Sequence, residues 1–168
     1  MSIGSADLRK AINTIWDAST LDSLFTAYWE SGVGSFIVLH DQEASPGQPF
    51  PYCVFSVGAG VTLNRMSGCN GNTLMEVRDL PLRFTVHARR MTAQSDSEDV
   101  IAASLLEEVI KVFGGHPDTP PQALTLDNGN HLITTYQNDF GIRSGDDEYA
   151  WTVSYLLKVD VAVQALTA

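Results

Sequence analysis

The sequence predicts an α+β protein: a mixed, mainly antiparallel sheet with helices packed on one face, in two layers, and one long β-hairpin protruding from it. Three observations carry this. Apolar residues recur at the helical period near the N-terminus and again after residue 95; they alternate at the strand period over residues 80–88 and 149–163; and the elements run helix, strands, helix, strands, with no internal repeat and no long linker.

The first helix shows Leu8, Ala11, Ile12, Ile15 and Trp16 on one stripe, with Ser5 placed as N-cap and Asp7 in the positively polarised first turn. Leu21, Leu24, Phe25, Tyr28 and Trp29 repeat the spacing from a start near Thr20 until Gly32 and Gly34 stop it, so this region is one broken helix or two short ones. Strands follow at "FIVLH" (36–40) and at "YCVFSVG" (52–58), the latter running on through Val61 and Leu63, with Gly58 and Gly60 marking a bulge or bend. Ahead of the second of these lies "PGQPFPYCVF": Pro46 and Gly47 turn the chain, Pro49 and Pro51 hold it extended, and pairing begins at Tyr52, which leaves Phe50 free for a neighbour.

In "LPLRFTVHA", Leu80, Leu82, Phe84, Val86 and Ala88 alternate with Pro81, Arg83, Thr85 and His87, predicting one buried and one wet face. "SGCNGNT" before it carries Gly68 and the turn pair Asn70-Gly71, the tip of a long hairpin. Ser95 and Glu98 form a capping-box pattern for a helix with Ala102, Leu105, Leu106, Val109, Ile110 and Phe113 on its stripe, ended by Gly114, Gly115 and Pro117. "HPDTPPQ" is a loop, "HLITTYQND" (131–139) a strand, and "RSGDDE" a hairpin turn. The clearest strand is the last, with Tyr149, Trp151, Val153, Tyr155, Leu157, Val159, Val161 and Val163 on one face.

The chain of 168 residues is read as one domain, 1–168. No apolar run approaches the roughly 20 residues that span a bilayer, and no basic segment followed by an apolar core opens the chain, so neither membrane insertion nor a standard secretion signal is expected. Ten basic residues against twenty acidic ones, a net charge of -10, disfavour gripping nucleic-acid phosphate or anionic lipid. Cys53 and Cys69 lie too far apart for a Cys-x-x-Cys pattern and read as free thiols of a reducing compartment.

Patterns that could carry chemistry have ordinary explanations. His40, His87, His116 and His131 lie in different elements without a second ligand at metal spacing, and no cofactor motif is present, so neither metal nor cofactor is expected. "HDQE" gathers His40, Asp41 and Glu43 as a polar turn at a strand end, and Asp146, Asp147 and Glu148 lack the alternation of a calcium loop. "GAG" at 58–60 sits inside a strand run and not before a helix, so it is not a phosphate cradle, and Glu107 and Glu108 are solvated helix positions. No catalytic residue can be named, and no enzyme activity is expected.

The order of elements, the "P-x-P-Y" entry at Pro51 and Tyr52, the strand "LRFTVHAR" (Leu82 to Arg89) and the helix from Ser97 to Phe113 resemble the tail terminator and tail-completion (head-tail joining) proteins of long-tailed phages and phage-like particles. The resemblance covers most of the chain; Ser35 to Gln48 and "GHPDTPPQALTLDNG" depart from it. It implies a non-catalytic subunit, assembled in the host cytoplasm into a homo-oligomeric ring, commonly a hexamer, that caps the head-proximal end of the tail tube in the virion. Its partners would be the tail tube protein and a neck or head-completion protein, with DNA passing through unbound. On that reading Phe50, Asn64, Arg65, Met66, Asn70 and Asn72 are interface candidates, the hairpin over 60–76 being the reaching element. A channel that passes DNA should repel phosphate, which makes Asp41, Glu43, Asp146, Asp147 and Glu148 candidates for its lining, with Arg65, Arg89, Arg90 and Lys111 away from it. Two alternatives stay open: a head-completion (stopper-type) neck protein of the same particle, and a small hydrolase or ligand-binding domain using the cluster around His40 and Glu43.

Overall fold

The computed structural model of the chain describes residues 5–58, 61–67, 73–91, 94–114, 116, 118–127 and 131–164, with the backbone alone for 5, 61–67, 73–79 and 158–164. Its elements are α1 (Ser5–Asp17), α2 (Leu21–Thr26), β1 (Leu39–Asp41), β2 (Tyr52–Val57), β3 (Val61–Ser67), β4 (Thr73–Arg89), α3 (Glu98–Phe113), β5 (Ala123–Thr125), β6 (His131–Arg143) and β7 (Glu148–Gln164). They form a mixed, mainly antiparallel sheet in the order β1-β2-β4-β7-β6-β5, with β3 also on β4; β1 and β2 are the parallel pair. The expected α+β class holds.

The helices share one core with one face of the sheet. Leu8, Ile12 and Trp16 of α1, Leu21 and Phe25 of α2, and Ile101, Leu105, Val109 and Phe113 of α3 bury against Phe55, Leu82, Phe84, Val86, Val153, Tyr155 and Leu157. Phe84 sits at the centre, its ring 4.3 Å from that of Phe113 and 6.3 Å from those of Phe55 and Tyr155. Burying a side chain of this size contributes roughly 1.5–3 kcal/mol, so these alternating positions of β4 and β7 anchor the helix layer. The N-terminal region resolves into two helices, tied where the Trp16 indole N–H donates to Asp22 at 2.7 Å.

The long paired strands set the shape. β4 and β7, 17 residues each, pair over their whole length, from Arg89 opposite Glu148 to Thr73 opposite Gln164. At about 3.4 Å per residue they span roughly 58 Å, whereas α3 at 1.5 Å per residue is only about 24 Å long. The sheet therefore outruns its helical cover, and β3, the first half of β4 and the last residues of β7 form an arm. The expected two-stranded hairpin is corrected to three strands, because β7 follows β4 to its end; the tip, 68–72, lies outside the described residues.

One proline explains why β2 and β3 are two strands and not the continuous run expected. Gly58 donates to the Pro81 carbonyl at 2.8 Å, so the side of Pro81 that lacks an N–H faces β2, and the reciprocal bond of the ladder cannot form. Pairing with β2 stops at Val57 opposite Leu82 and resumes with β3 at Val61 opposite Asp79. A Cβ on Gly58 would stand 3.2 Å from the proline ring, a tight contact that the absent side chain avoids.

Other expectations need correction. β1 begins at Leu39, not Phe36: it pairs with β2 over only three residues, and Phe36 and Ile37 are left exposed. The "ALT" stretch, expected as loop, is β5, held by Leu124 in the core; three residues are too few for a period to register. β6 continues past 139 to Arg143. The capping box does not form. Ser97 is the N-cap of α3, its hydroxyl bonded to Asp99, and Glu98 is drawn into a buried ion pair instead. The C-terminal stop is as expected: Gly114 has φ 68° and ψ -160°, and a Cβ there would stand 2.0 Å from the Pro120 carbonyl oxygen, so only glycine fits.

Candidate functional site

A single register shift distinguishes the two faces of the sheet. Along the first half of β6, Leu132, Thr134 and Tyr136 face the helices, opposite Val159, Leu157 and Tyr155. Between Tyr136 and Asn138 the ladder slips by one residue, so Gln137 is a bulge. One extra residue inverts every side chain beyond it. Asp139, Gly141 and Arg143 turn to the helix side, and Phe140 and Ile142, which would have continued the buried series, turn to the far face, 43% and 57% exposed. Ile133, also facing away from the helices, is 49% exposed. The alternating strands predict a wet far face; on β6 it also carries three exposed apolar side chains, Ile133, Phe140 and Ile142.

On the helix side the bulge makes a polar nest. Asp139 accepts from the Tyr136 hydroxyl at 2.5 Å and from the Trp151 indole at 3.1 Å, and its hydrogen bond pushes the Tyr136 hydroxyl up to about 12. Asp139 and Trp151 wall a cleft of about 360 Å³ over Leu106 and Ile110 of α3, with His116 at its edge, 5.0 Å from the Tyr136 ring. A second network lies at the β6–β7 turn. Arg143 donates to the buried Glu98 at 2.8 Å and Arg90 approaches its other oxygen at 3.4 Å, while Arg89 pairs with Glu148. The backbone N–H of Glu98 itself, then Arg143, hold the Glu98 carboxyl below the usual carboxylate range.

These networks change the standing of the candidate residues. Asp146 and Asp147 are exposed on that turn, and Glu148 opens β7, but Arg89, Arg90 and Arg143 share the corner, which is therefore a mixed ion-pair network and not an acidic patch. Asp41 pairs with Arg9 at the other side of the sheet, beside the exposed Glu43. By register Asp41 and Glu148 stand roughly 17 Å apart along the strands and about 14 Å across them, so the five carboxylates form two separate groups. Lys111 pairs with Glu108 on α3 at 2.6 Å.

Phe50 is half-buried against its own chain and lines an open hollow with Glu30, Val33 and Arg90. The Arg89 guanidinium lies 4.4 Å above its ring, Tyr52 is 5.0 Å away, and Tyr52 stacks on His87 at 4.9 Å, where burial lowers the pKa of the imidazole. The Phe50–Pro51 peptide is cis. Asn64, Arg65 and Met66 lie on β3, opposite Val77, Glu76 and Met75 of the arm; Asn70 and Asn72 lie outside the described residues.

The His40 and Glu43 cluster does not converge: His40 is buried edge-on to Tyr52, and Glu43 is exposed. His131 pairs with Thr125 across β5 and β6 at 3.1 Å. Among the described residues no three His, Cys, Asp or Glu side chains gather as metal ligands, and no helix is long and apolar enough to cross a membrane. Cys53 is a buried free thiol whose pKa burial raises; Cys69 lies outside the described residues.

Sequence reasoning missed Phe140, Ile142 and the Glu98–Arg143 pair. The apolar alternation keeps one parity across Gln137, so nothing in the sequence signals the exposure of the first two; nothing local marks the pair either, whose members are 45 residues apart.

No protein-family model matches the sequence, and no curated protein matches it. Among solved structures, a chain of the virion of a native gene transfer agent (GTA) particle is similar with a TM-score of 0.56 and 16% identity, over 95% of this chain and 100% of that one. Another solved chain, whose name describes no function, aligns at a TM-score of 0.47 with 15% identity, over 93% of this chain and 98% of that one, too low a score to carry an argument. What the first likeness establishes is that this α+β fold, nearly end to end, is shared with a virion chain.

Proposed function

We propose that the protein is a structural subunit of a phage-like virion and, more finely, a tail terminator: a ring-forming single-domain protein that caps the head-proximal end of the tail tube and joins it to the neck. The observation that carries the reading is the fold shared along nearly all of both chains with a component of a gene transfer agent virion, a phage-like particle. The arm supports it. An uncovered sheet extension whose outer strand β3 pairs, among the described residues, only with β4 has open backbone groups for a neighbour, and open edges invite pairing. A net charge of -10 suits a channel wall that must let DNA slide. The separation of the five carboxylates narrows that part of the proposal: Glu43, Asp146 and Asp147, which make no ion pair among the described residues, are the better lining candidates than Asp41 and Glu148.

Native mass and negative-stain imaging of the pure protein, followed by mixing with tail tubes and separately with portal-bearing heads, test this. A closed ring, or a chain that becomes one on tube ends, is the expected result. Binding to heads alone transfers the assignment to a head-completion protein, and binding to neither overturns the virion reading.

A further inference from the structure

The cleft between α3 and β7 has walls that select an occupant. Its floor is apolar, made by Leu106 and Ile110, and the Trp151 indole forms one side. Its volume of about 360 Å³ corresponds to roughly twelve waters at about 30 Å³ each, room for one long side chain. The polar rim is Glu107 and Lys111 of α3, His116, Asp118 and Thr119 of the loop after it, and Asp139 of β6.

The charges at that rim do not balance. Lys111 is taken by Glu108 at 2.6 Å, and His116 stands 3.8 Å from Asp118. Counting His116 as charged, four carboxylates, Glu107, Glu108, Asp118 and Asp139, face two cations. Glu107 and Asp139 make no ion pair among the described residues. The next base along β6 is Arg143, four residues and about 14 Å beyond Asp139, and it is held by Glu98. The last turn of α3, whose carbonyls form the negative end of the helix dipole, borders the same cleft and adds to the same sign.

Hydrogen-bonding capacity is also unused there. Asp139 accepts from the Trp151 indole with one oxygen and from the Tyr136 hydroxyl with the other, and a carboxylate has about four acceptor sites, so each oxygen keeps a free lone pair. The buried Thr119 hydroxyl, on the cleft wall, has no partner among the described residues. Neither has the hydroxyl of Tyr155, which is 1% exposed and lies opposite Tyr136 on the helix side of the sheet. Burial, then the neighbouring Tyr136 and Asp139, raise the pKa of that hydroxyl. Buried hydroxyls left unpaired are destabilising, and an occupant that brings hydrogen-bonding groups to this place relieves them.

An indole wall, a carboxylate with an open lone pair on each oxygen and an excess of negative charge over an apolar floor fit a planar cation on an apolar stem. Arginine is that group: its guanidinium meets a carboxylate through two parallel bonds and stacks on an indole, which a lysine ammonium cannot do. Of this chain's own described arginines, all but Arg83 already make ion pairs, so the group comes from a different chain. We propose that the cleft over Leu106 and Ile110 receives an arginine side chain of a different protein, its guanidinium paired with Asp139 and laid against Trp151. That this neighbour is another virion component rests on the virion reading above; the chemistry of the cleft does not.

The test titrates the full chain with N-acetyl-arginine amide while proton NMR follows the indole N–H signals. Trp151→Phe identifies the Trp151 signal, and Trp16 and Trp29, bonded to Asp22 and to the Pro51 carbonyl, are internal controls. The expected result is a saturating shift of the Trp151 signal alone, at least about tenfold weaker with uncharged N-acetyl-citrulline amide and in Asp139→Asn, which keeps the shape and loses the charge. No saturating shift, an equal response to citrulline, or an unchanged response in folded Asp139→Asn overturns the inference and leaves the virion reading standing. n-Butylguanidine separates a side chain from a free guanidine: binding about tenfold tighter than the blocked residue means that the peptide backbone does not fit, and excludes a side chain. Light-scattering mass tests a second copy as occupant, since a wild-type assembly that Asp139→Asn dissolves overturns the assignment to a different protein. Should Asp139→Asn fail to fold, the exposed Glu107→Gln takes its place, with binding weakened roughly two- to threefold as the supporting result and unchanged binding as the refuting one.

Discussion

Replacing Thr134 by valine isolates one polar device in the core. Thr134 is fully buried on β6, and its hydroxyl donates to the Phe113 carbonyl at 2.6 Å while accepting from the Gln122 N–H at 3.0 Å. Phe113 is the last residue of α3, so its carbonyl has no partner within the helix, and Gln122 leads into β5. Valine keeps the shape and strands both groups. At roughly 1–3 kcal/mol for each buried group left unpaired, with Gln122 only half-buried, the loss should be about 2–4 kcal/mol. For a domain of this size that lowers the melting temperature by roughly 5–15 °C. Thr134→Ser keeps both bonds and removes one methyl, costing about 1 kcal/mol. Urea unfolding followed by tryptophan fluorescence should rank wild type above serine and serine above valine. A valine variant within about 0.5 kcal/mol of wild type would refute the claim that this hydroxyl joins helix to sheet.

Gly114→Ala should destabilise by more than about 3 kcal/mol, since it meets both a glycine-only backbone conformation and the Pro120 carbonyl, whereas Gly32→Ala, also at positive φ but with nothing within 4 Å, should cost only about 1 kcal/mol; thermal melts compare them. Because the folded Glu98 carboxyl titrates below its ordinary 4.5, the stability it contributes is present above that pH and lost as pH falls through the lower folded value. Glu98→Gln should therefore flatten the acid limb of a melting-temperature profile below about pH 5, and an unchanged limb would remove Arg143 and Arg90 as its partners. Deleting 66–73 should leave the melting temperature within a few degrees of wild type while weakening assembly on tail tubes, because the described core begins near Leu80; truncated protein that still forms rings and still docks would show the arm is not an assembly element.

The stripes and alternations were legible because burial of one face repeats along the chain: Leu8 to Trp16, Leu82 to Ala88 and Val153 to Leu157 lie in the core as their spacing predicts. Of the candidate site residues, the sequence located Asp146, Asp147 and Glu148 on a turn but could not see that Arg89, Arg90 and Arg143 share the corner, since pairing across strands is set by register. The cation above the Phe50 ring was hidden for the same reason: Arg89 is 39 residues further on.

By itself, then, the sequence determined the class, the helix layer, the clean face of β4 and β7 and the acidic charge, all of which are periodic or compositional. Tertiary structure alone decided which strand lies beside which and how the register runs. Pro81 divides β2 from β3 only because its missing N–H points at Gly58, and Gln137 exposes Phe140 and Ile142 only because β6 must stay in step with β7 on both sides of it. Period reports which residues share a face, whereas a single unpaired residue decides which face that is.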